Sequence, residues 1–222
     1  MSIIAILGGT GALGGALAQR LSASGTKVVV GSRDPSKAES FSESVKDKHP
    51  AAQISGAGLA EAAAAGDICF VTVPYAAQAE TLEAIRPFVQ GKIVVDATVP
   101  LKPPKVGTVQ LPASGSAVVD GARILGEGVK VVSTLQNIGA EKLATAQQID
   151  ADVLVCGDDN DAVETVRTLL ASFGLQSWHA GPLANSAAAE AMTSLLIQIN
   201  RRYKIAQAGF RITGKPKQDD AP

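Results

Sequence analysis

The sequence GGTGALGG, residues 8–15, separates an apolar run from a run rich in alanine and leucine. It places three glycines at the spacing Gly9-x-Gly11-x-x-Gly14. The preceding run, SIIAILG, predicts a β-strand, and the following run, GALGGALAQRLSASG, predicts a helix that ends at Gly25. Because glycine is used where a backbone has positive φ or approaches another group closely, this order predicts the first unit of a parallel α/β sheet.

The strand, glycine turn and helix together indicate a dinucleotide-binding site. In this interpretation Gly9 permits the tight turn, Gly11 admits a pyrophosphate close to the backbone, and Gly14 lets the helix pack on the strand. The helix N-terminus adds N–H groups and a partial positive charge. The alternative, that the glycines serve only the turn, remains open at this point.

Composition limits the classes of partner. The 222 residues are 46% hydrophobic and 18% charged, with a net charge of -1, so there is no broad basic surface for nucleic acid. No apolar run approaches the roughly 20 residues of a membrane helix, and the first strand begins too early to leave room for a signal peptide. We therefore expect small-molecule partners, neither nucleic acid nor membrane, and a cytoplasmic location.

The cysteines and histidines do not indicate a metal site. Cys69 and Cys156 each lie in an apolar strand-like run, where a thiol behaves as a small hydrophobic group. The two histidines, His49 and His179, lie in no cluster of ligands. We expect two core cysteines and no metal.

Strand-like and helix-like segments alternate through the first ~135 residues, as in successive β-α-β units. The predicted strands are SIIAILG, TKVVVGSR, AAQISG, GDICFVTVP, GKIVVDATVP and VKVVSTL. This pattern predicts an α/β fold, a doubly wound parallel (Rossmann) sheet, with residues 1–150 as the dinucleotide-binding domain. Residues 151–222 are predicted to form a small C-terminal α/β extension that packs over the substrate cleft.

The extension begins with the strand DVLVCG, a helix near 161–173 and the segment LQSWHAG. A long helix is predicted from about Ser186 to Arg211, with apolar residues at helical spacing. That apolar face predicts packing on the sheet or on a second subunit, and we expect a homodimer.

The end of the second strand predicts the choice of dinucleotide. An NAD-selective protein places a carboxylate there, roughly 20 residues beyond the glycines, against the ribose 2′-hydroxyl. Ser32 and Arg33 occupy that place in this chain, with Lys37 one helical turn beyond. A hydroxyl and two cations favour a 2′-phosphate, and hence NADP. Asp34 competes as a ribose ligand, but because Pro35 follows, it is better explained as a helix cap.

The fourth and fifth strands end in VTVPY and DATVP. These ends meet at the crevice of a doubly wound sheet, so Thr72, Val73, Pro74 and Val99 are candidate walls for the ribose and nicotinamide. The proline-rich segment LKPPKVGTVQLPASGSA follows. It is interpreted either as a loop that covers a ligand or as an ordinary surface connection.

The motifs LGGTG, VVGSR, TVP, CGDD and AGPLANS, in this order, resemble the NADP-dependent coenzyme F420 reductase family. The resemblance runs from Ile3 to about residue 210, and it implies hydride transfer between NADPH and a deazaflavin. It also implies an NADP-binding set that comprises Thr10, Gly11, Ala12, Leu13, Ser32, Arg33 and Lys37, with Thr72, Val99 and Ala140 as further positions.

One departure from the family concerns the second substrate. After the sixth strand the family tends to carry His-Thr-Ile-Pro, whereas this chain has Gln136, Asn137, Ile138 and Gly139. An imidazole and the rigidity of a proline are therefore missing, although the amides still donate hydrogen bonds. The candidate contacts for the second substrate are Gln136, Asn137, Ile138, Asn185 and Ser186.

The sequence offers no obvious catalytic acid or base, which agrees with hydride transfer, because positioning of the two rings does most of the work. His179 faces the site or lies at the surface, and Glu190 and Thr193 either approach a ligand or have a structural role. Two other functions stay open: an NADPH-dependent reductase of another flavin or of a small carbonyl or imine, and an NADP(H)-sensing protein without turnover.

Overall fold

The computed structural model describes residues 2–145 and 149–214. Eight strands in these residues form one sheet in the order β3-β2-β1-β4-β5-β6-β7-β8. They are β1 (Ile3–Leu7), β2 (Lys27–Ser32), β3 (Ile54–Gly58), β4 (Ile68–Val71), β5 (Ile93–Asp96), β6 (Lys130–Ser133), β7 (Asp152–Gly157) and β8 (Gln176–His179).

Eight α-helices connect or follow the strands within the described part of the chain. They are α1 (Ala12–Ala23), α2 (Pro35–Lys48), α3 (Leu59–Ala65), α4 (Tyr75–Ile85), α5 (Ala117–Leu125), α6 (Ala140–Thr145), α7 (Asn160–Ser172) and α8 (Ser186–Tyr203). Single 3-10 turns occur at Arg86–Phe88 and Leu183–Asn185.

The first six strands are parallel, which confirms the predicted doubly wound sheet. The chain moves outward from β1 to β3 and then returns to place β4 on the other side of β1. The carboxyl ends of β1 and β4 therefore form the point at which the winding direction changes, where doubly wound folds bind ligands.

The C-terminal extension continues the same sheet. β7 pairs antiparallel with β6, with Val132 opposite Gly157, and β8 then pairs parallel with β7. Arg20 on α1 connects the extension to the first half of the fold, because its guanidinium donates to the backbone oxygens of Leu143 and Phe173.

Two apolar clusters bury the two faces of the sheet. One contains α1 and α7 residues such as Leu17 and Val166, and the other contains α4 and α5 residues such as Leu82 and Leu125. The central strands are apolar on both faces because helices cover both. Cys69 in β4 and Cys156 in β7 are buried, as predicted, and burial raises the pKa of each thiol to about 11. No helix in the described residues is long and apolar enough to cross a bilayer.

The start of α2 follows the predicted cap. Asp34 accepts a hydrogen bond from the Ser36 N–H at 3.2 Å, and Pro35 occupies the first helical position. The interpretation of Asp34 as a helix cap is therefore confirmed.

The last helix is shorter than predicted. α8 ends at Tyr203 instead of near Arg211, because Lys204 adopts left-handed φ and the Ile205 N–H donates back to the Asn200 oxygen. The following segment turns back to β7, where the Asp152 N–H donates to the Phe210 oxygen at 2.9 Å. The backbone pairing with β7 replaces further helix.

Gly14 provides a test of the close packing between α1 and the end of β4. A Cβ at this position would collide with Thr72 Oγ1 and would lie 2.7 Å from the Gly8 oxygen. We expect Gly14→Ala to lower the free energy of unfolding by about 1–3 kcal/mol, measured by urea denaturation, since backbone atoms have little room to move.

Gly15→Ala is the matched control in the same helix. Its Cβ would lie 3.3 Å from the nearest atom, on the Phe41 ring, and alanine favours a helix over glycine by about 1 kcal/mol. We expect this variant to be as stable as the parent or more so. Equal losses in both variants would contradict the packing argument.

Candidate functional site

A cavity of about 410 Å³ lies at the carboxyl ends of β1 and β4, where the winding direction changes. This volume is within the usual range of small-molecule sites. The lining residues are Gly8, Thr10, Gly11, Ala12, Leu13, Ser32, Arg33, Leu59, Thr72, Val73, Pro74, Tyr75, Ala77, Ala97, Val99 and Leu101.

The glycines of the first turn have separate roles. The left-handed residue is Gly8, with φ of 82°, so the tight turn predicted at Gly9 belongs to its neighbour. Gly9 is needed for space instead, because a Cβ there would lie 2.8 Å from the Ile6 oxygen and 2.9 Å from a Val30 methyl. For a Cβ at Gly11, the Gly8 oxygen at 3.2 Å is the only close atom among the residues that the structure describes, which leaves the cavity side of this residue open.

The N-terminus of α1 faces this cavity without a side-chain cap. Its N-cap residue is Gly11, which has no acceptor for the N–H groups of the first turn. The N-termini of α2, α5 and α7, by contrast, are capped by Asp34, Ser116 and Asp159. The first turn of α1 is therefore available to an anion, with its dipole favouring negative charge.

The predicted cationic corner lies at the end of β2. Ser32 and Arg33 both line the cavity, and the Ser32 hydroxyl accepts from the Asp34 N–H at 3.2 Å, so its own proton remains available. Arg33 is exposed, and within residues 2–145 and 149–214 it forms no ion pair. These two side chains are placed to bind a charged oxygen group.

Lys37 and Asp34 stand beside this corner but outside the lining. Lys37 Nζ lies 3.7 Å from Asp34 Oδ2, and its side chain is largely exposed. The hydrogen bond from the Ser36 hydroxyl, together with Lys37, lowers the pKa of Asp34 below its ordinary value. The Asp34 carboxylate is therefore already hydrogen-bonded to Ser36 at the start of α2.

The opposite wall contains the predicted strand ends. Thr72, Val73 and Val99 all line the cavity, and the Thr72 hydroxyl donates to the Leu7 oxygen at 2.9 Å. The sequence interpretation missed the lining residues Gly8, Leu59, Tyr75, Ala77, Ala97 and Leu101. Ala97 and Leu101 lie close to Val99 in the segment directly after β5, so their position at the carboxyl end of that strand was a usable signal. Nothing in the weak third strand indicated Leu59.

The proline-rich segment after β5 has two kinds of contact. Leu101, at its start, lines the cavity, while Thr108 accepts a hydrogen bond from the Ser194 hydroxyl on α8 at 3.3 Å. Part of this segment therefore borders the site, and part rests on the last helix.

The residues Gln136, Asn137 and Ile138 lie in a turn after β6, outside the cavity lining. Gln136 Nε2 donates to the Asp96 backbone oxygen at 2.9 Å, and Asn137 Nδ2 donates to the Ala189 oxygen at 2.7 Å. Ile138 is buried in an apolar cluster. Both amides thus have structural partners, and the preceding Leu135 has φ of 72°.

The predicted contacts Asn185 and Ser186 lie at the start of α8, also outside the lining. Asn185 Nδ2 donates to the Ala180 oxygen at 2.7 Å, while Ser186 is buried with its hydroxyl 2.8 Å from that of Ser116. The structure therefore does not bring them into contact with the dinucleotide cavity.

Glu190 and Thr193 have structural hydrogen bonds on α8. Glu190 accepts from the Ser116 hydroxyl at 2.6 Å and from the N–H groups of Ala117 and Val118, at the N-terminus of α5. Burial raises the pKa of this carboxyl, the Ser116 bond lowers it, and nearby Asp96 raises it. Thr193 donates to the Gln136 oxygen at 2.8 Å.

Two further predicted residues lie apart from the cavity. Ala140, a predicted cofactor position, begins α6, and His179 is exposed at the end of β8. Neither lines the cavity, and the role of each stays a prediction.

The cavity as a whole fits a dinucleotide phosphate such as NADP. A glycine-lined helix start without a side-chain cap suits a pyrophosphate. The Ser32 hydroxyl, with an Arg33 guanidinium that forms no ion pair in the described part of the chain, suits a further phosphate. The apolar side chains of Val73 and Val99 line the cavity and suit a ring that must be shielded from water.

Comparison with known proteins agrees with this geometry. Residues 3–100 match the family model of NADP oxidoreductase, coenzyme F420-dependent. The chain is 38% identical to F420-dependent NADP reductase from Methanothermobacter thermautotrophicus, over 97% of each chain. It is 37% identical to F420-dependent NADP reductase from Methanocaldococcus jannaschii, over 95% of this chain and 97% of the other.

A solved structure has the same fold over the whole chain. It is the crystal structure of an Arthrobacter sp. FB24 protein, provisionally assigned as an F420-dependent NADP reductase. The two are 26% identical, with a TM-score of 0.82 over 96% of this chain and 100% of that one. The sequence identities to the archaeal reductases, over almost their full length, place the present chain in the F420-dependent NADP reductase family.

Proposed function

We propose that this protein is an oxidoreductase that transfers a hydride between NADPH and coenzyme F420. The observation that carries the proposal is the cavity in which the uncapped start of α1 and the Ser32–Arg33 corner face one space. Membership of the F420-dependent NADP reductase family supports the choice of F420 as the acceptor.

The reaction needs little acid or base chemistry from the chain. When NADPH is bound, it supplies a hydride of two electrons and one proton to the deazaflavin, which takes up one further proton. The chain's residues bind the phosphates, orient the rings and exclude water. The apolar residues Val73, Ala97 and Val99 would do the last of these.

The dinucleotide contacts follow from the cavity. The start of α1 binds the pyrophosphate through residues 10–13, and Gly9 and Gly14 permit the close packing that places them. Ser32, Arg33 and Lys37 bind the 2′-phosphate, although Lys37 must leave Asp34 to do so. Thr72, Val73 and Val99 border the ribose and nicotinamide, with Ala140 as a more distant candidate.

The acceptor would lie near the turn after β6 and the C-terminal region. We propose Gln136, Asn137, Ile138, Asn185 and Ser186 as the candidate positions, with residues 151–222 as a smaller region that packs over the cleft. The hydrogen bond from Thr193 to the Gln136 oxygen, and that from Asn137 to the Ala189 oxygen, tie this turn to α8. Since the amides have internal partners, we expect the turn to contribute through backbone groups and shape.

An acceptor assay tests the activity. We expect purified protein to oxidise NADPH steadily when F420 is added, measured by the loss of F420 absorbance. FMN and small carbonyls or imines, at the same concentration, should react much more slowly. A faster reaction with one of these would replace F420 as the acceptor, and no turnover with any of them would favour an NADP(H)-sensing protein.

Arg33→Ala tests the choice of dinucleotide. A charge-assisted contact to the 2′-phosphate is worth about 1.5–3 kcal/mol, so NADPH should bind roughly 10- to 100-fold more weakly. NADH lacks this phosphate and should be almost unaffected. Fluorescence titration with both nucleotides measures the two dissociation constants.

Lys37→Ala is the matched control for a cation in the same corner. Because Lys37 is paired with Asp34 and lies outside the lining, its loss should weaken NADPH less than the loss of Arg33 does. Equal weakening of NADPH and NADH by Arg33→Ala would contradict the assignment of the corner.

We also propose that the protein is a homodimer formed through α8. Leu195, Ile199 and Tyr203 lie four residues apart on this helix and are 57%, 39% and 66% exposed. A stripe of large apolar side chains on one helix face is typical of an interface.

Light scattering tests the dimer. We expect twice the chain mass at micromolar concentration, and Leu195→Arg should shift the mass towards the monomer because a charge cannot be buried cheaply in an apolar interface. Phe88→Arg, at an exposed apolar residue on another surface, should leave the mass unchanged. A monomeric parent would disprove the proposal.

A further inference from the structure

Asp96, the last residue of β5, is a buried carboxylate beside the cavity. It is 1% exposed, and within residues 2–145 and 149–214 no cation forms an ion pair with it. A buried charge without a counter-ion is costly, so the contacts of this side chain need an explanation. Burial raises the pKa of Asp96, while the hydrogen bonds from Thr98 and Gln78 lower it.

One oxygen of Asp96 holds helix α4. Gln78 Nε2 donates to Asp96 Oδ2 at 2.6 Å and also to the Ala117 oxygen, at the start of α5, at 3.0 Å. Gln78 lies in the first turn of α4, directly after the cavity-lining residues Tyr75 and Ala77. The contact therefore fixes one wall of the cavity relative to the sheet.

The other oxygen of Asp96 holds an adjoining wall. The Thr98 N–H donates to Asp96 Oδ1 at 2.8 Å, which fixes the backbone directly after β5. Ala97, Val99 and Leu101 in this segment line the cavity. A single carboxylate thus sets two adjoining walls of the cavity, at the end away from Arg33.

Gly121 on α5 keeps this cluster compact. A Cβ there would lie 3.1 Å from Asp96 Oδ2 and 3.1 Å from Gln78 Nε2. The absence of a side chain lets α5 approach the pair closely, so the carboxylate and the amide have little freedom to move.

We propose that Asp96 is a positioning residue for hydride transfer, which acts through Gln78 and Thr98 on the two walls that enclose the nicotinamide. The inference rests on the proposed function. Displacement of a bound group by about 1 Å can cost a factor of roughly 100 in rate, so the spacing of these walls affects chemistry more than binding. The phosphate contacts, at the other end of the cavity, do not depend on Asp96.

Asp96→Asn is the main test, because it keeps the shape and changes one acceptor oxygen to an NH₂ group. The new amide can still accept from the Thr98 N–H, but then it presents a donor to the Gln78 donor. Flipping Gln78 would instead turn its oxygen towards the Ala117 oxygen. We expect the single-turnover rate of hydride transfer to fall about 10- to 100-fold, with little change in the Kd of NADPH.

Gln78→Leu removes the same hydrogen bond by removing its donor. It serves as the test if Asp96→Asn does not fold. Val89→Ala controls for lost stability, since Val89 is buried on the same side of the sheet and lies outside the cavity lining. It should lower Tm and leave the hydride-transfer rate unchanged. A parental rate in both Asp96→Asn and Gln78→Leu, or a parallel loss of rate and NADPH affinity, would overturn the proposal.

A second measurement separates this inference from the proposed acceptor. Fluorescence anisotropy of bound NADPH reports how firmly the nicotinamide is held and needs no F420. We expect lower anisotropy in Asp96→Asn than in the parent at saturating NADPH, and unchanged anisotropy in Val89→Ala. If the parent does not reduce F420, the proposed function fails alone; if the anisotropy is equal in parent and Asp96→Asn, the role of Asp96 fails.

Discussion

The contact between the start of α1 and the end of β4 is the constraint on which the site depends. No side chain separates them at Gly14, and the Thr72 hydroxyl, which lies against Gly14, donates to the Leu7 oxygen of β1. Thr72, directly after β4, therefore contacts both α1 and β1. Because α1 begins there, its free N–H groups face the crevice where the winding of the sheet reverses. The position of the proposed pyrophosphate site is a result of close packing.

The fold and the cavity at the start of α1 follow from local sequence patterns. Strand periodicity, the Asp34–Pro35 helix start and the glycine spacing each depend on residues close in the chain, so the sequence alone predicts them. The pair Ser32–Arg33 was found because the end of the second strand has a known place beside the glycine turn. The exception is the tight turn predicted at Gly9, which the positive φ of Gly8 provides, because adjacent glycines cannot be told apart by spacing.

The turn after β6 and the end of α8 depend on partners that are distant in the chain. Gln136 donates to the Asp96 oxygen across 40 residues, and Asn137 donates to the Ala189 oxygen across 52 residues. Each amide is a plausible ligand contact when only its neighbours are known, because its internal acceptor cannot be inferred from the local sequence. The end of α8 is likewise set by a long-range contact, because the chain leaves the helix to pair with the backbone of β7. Long-range hydrogen bonds thus limit what the sequence reveals.

The reversed pairing of β7 with β6 has a consequence for how this scaffold changes over evolution. A parallel continuation needs a long crossover along one face of the sheet, whereas an antiparallel return needs only a turn at the edge that the chain has just reached. The first residues after β6, 134–137, therefore stay at the edge where β6 ends, before α6 packs against α1. A change in that turn can alter the shape of the edge at which β6 ends, while the six parallel strands keep their register.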